Sequence, residues 1–212
     1  MRIHINISVN RIIQVLLLFL FIVNMGGGLF DPFFAVFVKG FIVGATLKTV
    51  GFAAALYAIS KSILQLPLAK KIDAKAGERD DFFVLLAGSS LGFIFTMGLL
   101  FIHTPYELYV LEIINGVGGA CLAAAYYGIF ARHIDRGSEG FEWSLFSVWG
   151  LTLSAAVGSM AGGIVADALG LYNTILLSGL LEFLATLGLV VLYPMLDGTR
   201  KKVDLTKLPP MA

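Results

Sequence analysis

Cysteine is almost missing from this chain. Cys121 is the one cysteine in 212 residues and lies inside an apolar run, so no internal disulfide can staple the fold. Histidine is nearly as scarce. His4, His103 and His133 fall at the N-terminus and at opposite edges of apolar stretches, too far apart to share a metal ion. Charge is thin as well: 14% of residues are charged, against about 25% in a usual soluble domain, which argues against the soluble classes. A net charge of +1 gives no bulk attraction to nucleic acid. No Gly-x-Ser-x-Gly elbow is present, and the glycine-rich segments lie inside apolar runs instead of opening a helix after a strand, so they do not read as nucleotide loops. These absences point away from an enzyme, a metal site or a bound cofactor. Any transport is expected to draw on an ion gradient and not on ATP.

What the chain does have is hydrophobicity: 58% of residues are hydrophobic and mean hydropathy is +0.89. A helix needs about 20 mostly apolar residues to cross the roughly 30 Å of hydrocarbon in a bilayer. Six stretches qualify, over residues 11–38, 44–69, 82–102, 105–131, 143–168 and 171–193. No small-residue cleavage site follows the first, so it is expected to remain as a membrane helix. Pro105 suits the first position of a helix, where its missing N–H is no loss. The expectation is an all-α membrane protein, one six-helix domain over residues 1–212 in contact with the lipid bilayer. Residues 1–10 would form a cytoplasmic N-terminal segment and residues 197–212 a cytoplasmic tail.

Lysine and arginine set the orientation. Arg2 and Arg11 precede or open the first span. Lys70, Lys71, Lys75 and Arg79 lie between the second and third. Arg132 and Arg136 lie between the fourth and fifth, and Arg200, Lys201, Lys202 and Lys207 follow the sixth. All twelve fall on one side, against Lys39 and Lys48 on the other and Lys61 within a span. Both termini are therefore expected in the cytoplasm, most readily at a prokaryotic inner membrane.

Four segments resemble motifs of one family. Residues 68–79, reading Leu68-Ala69-Lys70-Lys71-Ile72-Asp73-Ala74-Lys75-Ala76-Gly77-Glu78-Arg79, are similar to a loop signature Gly-x-Leu-Ala-Asp-Arg-x-Gly-Arg-Arg, with Asp73, Gly77 and Arg79 the matching candidates and Gly77 one position late. Glu112-Ile113-Ile114-Asn115-Gly116-Val117-Gly118-Gly119-Ala120 resembles Arg-x-x-x-Gly-x-Gly-x-Ala, with Glu112 in the arginine's place. Gly158-Ser159-Met160-Ala161-Gly162-Gly163 resembles Gly-Pro-x-x-Gly-Gly, with Ser159 for the proline. Gly28-Leu29-Phe30-Asp31-Pro32 has the Asp and Pro often found in the first helix. Together these are similar to the N-terminal six helices of the major facilitator superfamily. The resemblance implies two inverted three-helix repeats and a secondary transporter. A short internal match supports such repeats: Ala69-Lys70-Lys71-Ile72-Asp73 before Gly77, against Gly163-Ile164-Val165-Ala166-Asp167 before Gly170, each at the exit of a middle helix.

Ionisable groups at membrane depth are costly and mark candidate sites. Asp31 adjoins Pro32, which frees the Gly28 carbonyl and should open or kink the helix; Gly26, Gly27 and Gly28 loosen it further. In the family the first and fourth helices both line the central cavity, so the resemblance implies that Asp31 and Glu112 share it. Two acids there form a candidate proton-coupling pair, and an acid in place of the arginine implies a cationic or neutral cargo. Asn24, Asn115 and Tyr126 are candidate cavity residues, each with interhelical or interfacial packing as the plainer role. Lys61 is expected to snorkel or to pair with an acid. Glu182, in a span that packs peripherally in the family, is expected to pair with Lys61 or to face a partner, without a part in transport. Gly158, Gly162 and Gly163 are read as packing residues.

The functional expectation is secondary transport of a small solute by a homodimer, the second span of one copy meeting the fifth of the other. The alternatives are a membrane assembly partner that does not transport, or a truncated half-transporter.

Overall fold

The computed structural model describes residues 9–74 and 77–196. Arg2, His4, Lys75, Arg200, Lys201, Lys202 and Lys207, the tail over 197–212 and all but the end of the 1–10 segment lie outside the described residues. Among the described residues six helices are long and apolar enough to cross a membrane: α1 (Arg11–Phe41), α2 (Leu47–Ala74), α3 (Arg79–Gly98), α4 (Pro105–His133), α5 (Glu139–Leu169) and α6 (Leu171–Met195). No strand occurs among the described residues. Each of the six stretches read from hydropathy is one of these helices, with ends shifted by up to five residues.

Local chemistry sets the helix boundaries. Asn10 caps α1 by accepting from the Ile12 N–H at 2.9 Å. At α4, Thr104 is the cap and Pro105 the first residue; Glu107 reaches back to accept from the Thr104 N–H at 2.9 Å and the His103 N–H at 2.7 Å. Gly170 alone joins α5 to α6, and its φ of +81° is a turn geometry that glycine adopts without strain. Within α1 the chain tightens into a 3-10 turn over Asp31–Phe33, where Pro32 has no N–H to donate, and then resumes as α-helix.

The packing follows an inverted repeat. α2 packs on α4 and α5 on α1; α3 packs on α4 and α6 on α1; α3 and α6 meet each other. Exchanging the first three helices with the last three maps this pattern onto itself. Because α1 and α4 start at opposite ends of the bundle, the two triplets are inverted with respect to one another. Glycines make the closest approaches. A Cβ on Gly158 would strike the Met25 carbonyl oxygen of α1, and one on Gly162 the Leu29 carbonyl oxygen. In the other triplet a Cβ on Gly116 would come within 2.6 Å of the Tyr57 carbonyl oxygen of α2. Association in lipid relies on such backbone contact, since burial from lipid supplies little driving force. Gly163 is different: its Cβ would meet only the Phe33 ring, at 4.0 Å.

Two apolar clusters close the ends. At the end that holds the start of α1 and the finish of α6, here the terminal end, Leu16, Leu85, Ile129, Phe130 and Leu192 are buried together. At the distal end Phe37, Val38, Leu99, Leu108 and Ile175 do the same. α1 and α4 touch little between them, and a cavity opens there. The outward faces of α2 and α5 are exposed. Only Thr49, Ala53 and Ile72 of α2 are buried, while Phe52, Ile59, Ile63, Leu66, Met160 and Ile164 stand exposed.

Candidate functional site: a cavity lined by three carboxyls

The cavity has a volume of about 580 Å³, enough for a small ligand, and all six helices contribute to its wall. α1 supplies Asn24 and Asp31, α2 Tyr57 and Lys61, α4 Glu112, Asn115 and Tyr126, and α6 Glu182. Asp31 and Glu112 therefore line one space, as do Asn24, Asn115 and Tyr126.

The α1 glycines position the acids. A Cβ on Gly27 would lie 3.4 Å from Asp31 Oδ2, so the Asp31 side chain folds back along its own helix. Asp31 lies within electrostatic range of both Glu112 and Glu182. Glu112 is 5% exposed and accepts from Asn115 Nδ2 at 3.5 Å, three residues on along the same helix face. Asn24 donates to the Leu20 carbonyl at 2.9 Å, which leaves its side-chain oxygen for the cavity. Tyr126 is 1% exposed, its ring stacked on Phe130 at 5.7 Å, and its hydroxyl meets no hydrogen-bond partner among the described residues.

Lys61 neither reaches the terminal end nor pairs with Glu182. Its Nζ donates to the Tyr57 hydroxyl at 3.4 Å and lies 5.6 Å from that ring's centroid, and no described carboxylate is within ion-pair distance. The cavity thus holds three carboxyls and one ammonium, which favours positive charge within it.

Three features escaped the sequence reading. Glu182 sits in the cavity wall and not on a peripheral face, which corrects the expectation for the sixth span. Its Cγ would lie 3.4 Å from a Cβ on Gly26 of α1. The signal was available: a lone acid within a long apolar run. α5 also widens into a π-helical stretch over Phe146–Leu153, with the Thr152 hydroxyl donating to the Ser147 carbonyl five residues back at 3.1 Å. The i→i+5 spacing brings both Phe146 and Leu151 to the cavity, and no residue pattern announced it. The third is an ion-pair cluster at the terminal end. Arg132 Nε donates to Glu78 Oε1 at 2.9 Å, Arg132 also pairs with Asp81, and His133 Nε2 is 3.6 Å from Glu78 Oε2. Of the loop-signature residues, Asp73 is exposed, Gly77 half-buried, and Arg79 stacks over Tyr193 at 5.4 Å.

The comparisons agree with this architecture. The Major Facilitator Superfamily model matches residues 16–209. Over 161 residues the chain is 27% identical to a Bacillus subtilis (strain 168) protein described as the uncharacterized MFS-type transporter YitZ, a match covering 74% of this chain and 91% of that one. Over 193 residues it is 22% identical to the uncharacterized MFS-type transporter MJ1560 of Methanocaldococcus jannaschii, covering 89% of this chain and 47% of that one. No solved structure gives a significant match. With six membrane helices in an inverted-repeat packing and a family match over nearly its whole length, this membrane transport protein belongs to the Major Facilitator Superfamily.

Proposed function

We propose that the chain carries out secondary active transport of a small cationic or neutral solute, with protons coupled through Asp31 and Glu112. One observation carries the reading: three carboxyls line a mid-bundle cavity with no described cation within ion-pair distance of any of them. Ionisable groups at that depth persist where they meet a substrate, an ion or a proton. Asn24, Asn115 and Tyr126 orient the solute by hydrogen bonds.

The active unit in this reading is a homodimer. α2 and α5 present long apolar faces that flank the cavity, and α2 of one copy would meet α5 of the other across a twofold axis along the membrane normal. The match to 47% of the archaeal relative fits such a pairing of six-helix units. The termini face the cytoplasm of a prokaryotic cell, a placement supported by the lysine and arginine distribution and by relatives in a bacterium and an archaeon.

The test is proton flux in proteoliposomes that enclose a pH-sensitive dye, screened against small cations and neutral solutes. A solute that moves protons through the wild-type chain but not through Asp31→Asn or Glu112→Gln supports the assignment. Wild-type coupling in both variants sinks it. The mass of the particle in a nanodisc, corrected for lipid, tests the dimer separately.

A further inference from the structure

Glu182 lies beside Asp31 across two adjacent glycines of α1. The Cγ of Glu182 approaches over Gly26 and the Oδ2 of Asp31 over Gly27, each 3.4 Å from where a Cβ would stand. Both carboxyls line the cavity, Asp31 from α1 and Glu182 from α6. Glu182 Oε2 is buried with no hydrogen-bond partner among the described residues, and Thr96 of α3 lines the same wall. A buried acceptor without a donor keeps its full desolvation cost. The other charged groups of the cavity do not relieve it: Asp31 and Glu112 are acids, and Lys61 is turned to Tyr57.

What would relieve it is a donor brought by the ligand. We propose that Glu182 and Asp31 together seat the ammonium head of a small amine that carries N–H donors. A protonated amine supplies both the opposite charge and the missing hydrogen bond, and charge-assisted bonds of this kind are the strong ones. A quaternary ammonium supplies the charge alone. The aromatic rings of Phe30, Phe34 and Phe95 in the same wall accommodate an apolar body behind the head. This inference rests on the cationic reading above and narrows it to one cation chemistry and one further residue.

The experiment is calorimetric titration of the full chain in nanodiscs with phenethylamine, its N,N-dimethyl derivative and its N,N,N-trimethyl derivative. The dimethyl and trimethyl compounds have nearly the same bulk but differ by one N–H. The wild-type chain should bind the dimethyl compound on the order of tenfold more tightly than the trimethyl one. Glu182→Gln should lower both affinities, the dimethyl one further, so that the ratio collapses. A purely structural role for Glu182 would lower both affinities together and leave the ratio in place. Equal binding of the two compounds by the wild-type chain overturns the proposal and leaves the cation reading standing; that comparison needs no variant to fold. An unchanged ratio in Glu182→Gln also overturns it and leaves the site to a resident proton. Failure of all three compounds to bind the wild-type chain overturns the cation reading and the proposal with it.

Discussion

Ionisable side chains gather at two places inside this bundle, and the two are built on opposite principles. At the terminal end, Arg132 is held between Glu78 and Asp81, with His133 beside Glu78; the side chains are 18% exposed for Arg132, 8% for Glu78 and 1% for Asp81. These contacts tie the end of α4 to the start of α3. In the cavity, Asp31, Glu112 and Glu182 have no described cation within ion-pair distance, and Lys61 lies against a tyrosine. The first group supplies its own counter-charge. The second lacks one at the place where something else can enter, so the absence of a counter-charge, more than burial, marks the candidate site.

The largest test of that contrast is to break the completed group. Arg132→Ala removes the guanidinium that Glu78 and Asp81 share, and the loss of stability should be about 3–5 kcal/mol, as for other buried pairs deprived of one member. Unfolding of the full chain in mixed micelles measures it. A loss below about 1 kcal/mol would mean that the cluster behaves as an exposed one, and the contrast would fail on that side.

A neutral baseline comes from the α5 glycines. Gly162→Leu drives a side chain into the Leu29 backbone of α1 and should cost about 1–3 kcal/mol, whereas Gly163→Ala, whose methyl would only touch the Phe33 ring, should be nearly silent. Equal effects at the two positions would show that the α1–α5 approach is not what glycine protects.

On the cavity side the expectation reverses. Asp31→Asn and Glu112→Gln remove charge that has no described counter-ion, so stability should stay within about 1 kcal/mol of wild type or rise, while proton-linked flux is lost. A stability loss as large as that of Arg132→Ala would place these acids among the structural charges.

The same distinction explains what could be read in advance. Six spans follow from apolar run length, which lipid enforces directly, and Asp31 and Glu112 stood out as acids within such runs. Their convergence came from the family resemblance and not from spacing, because no helical periodicity fixes how α1 and α4 rotate toward one another. Glu182 shows the limit of that resemblance: the position of its helix argued for the periphery, yet Gly26 lets α6 approach closely enough for the carboxyl to enter the cavity wall. Arg132 was legible only as a topology charge, since its partners lie more than 50 residues away and meet it only once α3 and α4 pack. The π-helical turn of α5 lies where Gly150 meets Leu20 and Trp149 stacks on Phe21 at 4.6 Å, and those are contacts between helices.

The smallest expected effect is the most pointed. Tyr126→Phe removes one hydroxyl that is buried in the cavity wall and meets no described partner, and it leaves the ring stacked on Phe130. Deleting an unsatisfied buried group removes a desolvation cost, so stability should be unchanged or higher by up to about 1 kcal/mol. If the hydroxyl serves a solute, affinity for that solute falls while the unfolding curve does not move to lower denaturant. A stability loss above about 1 kcal/mol would mean that the hydroxyl is bonded within the fold, through a buried water. Tyr126 would then belong with Arg132 among the structural groups, and the cavity would lose one candidate contact for a solute.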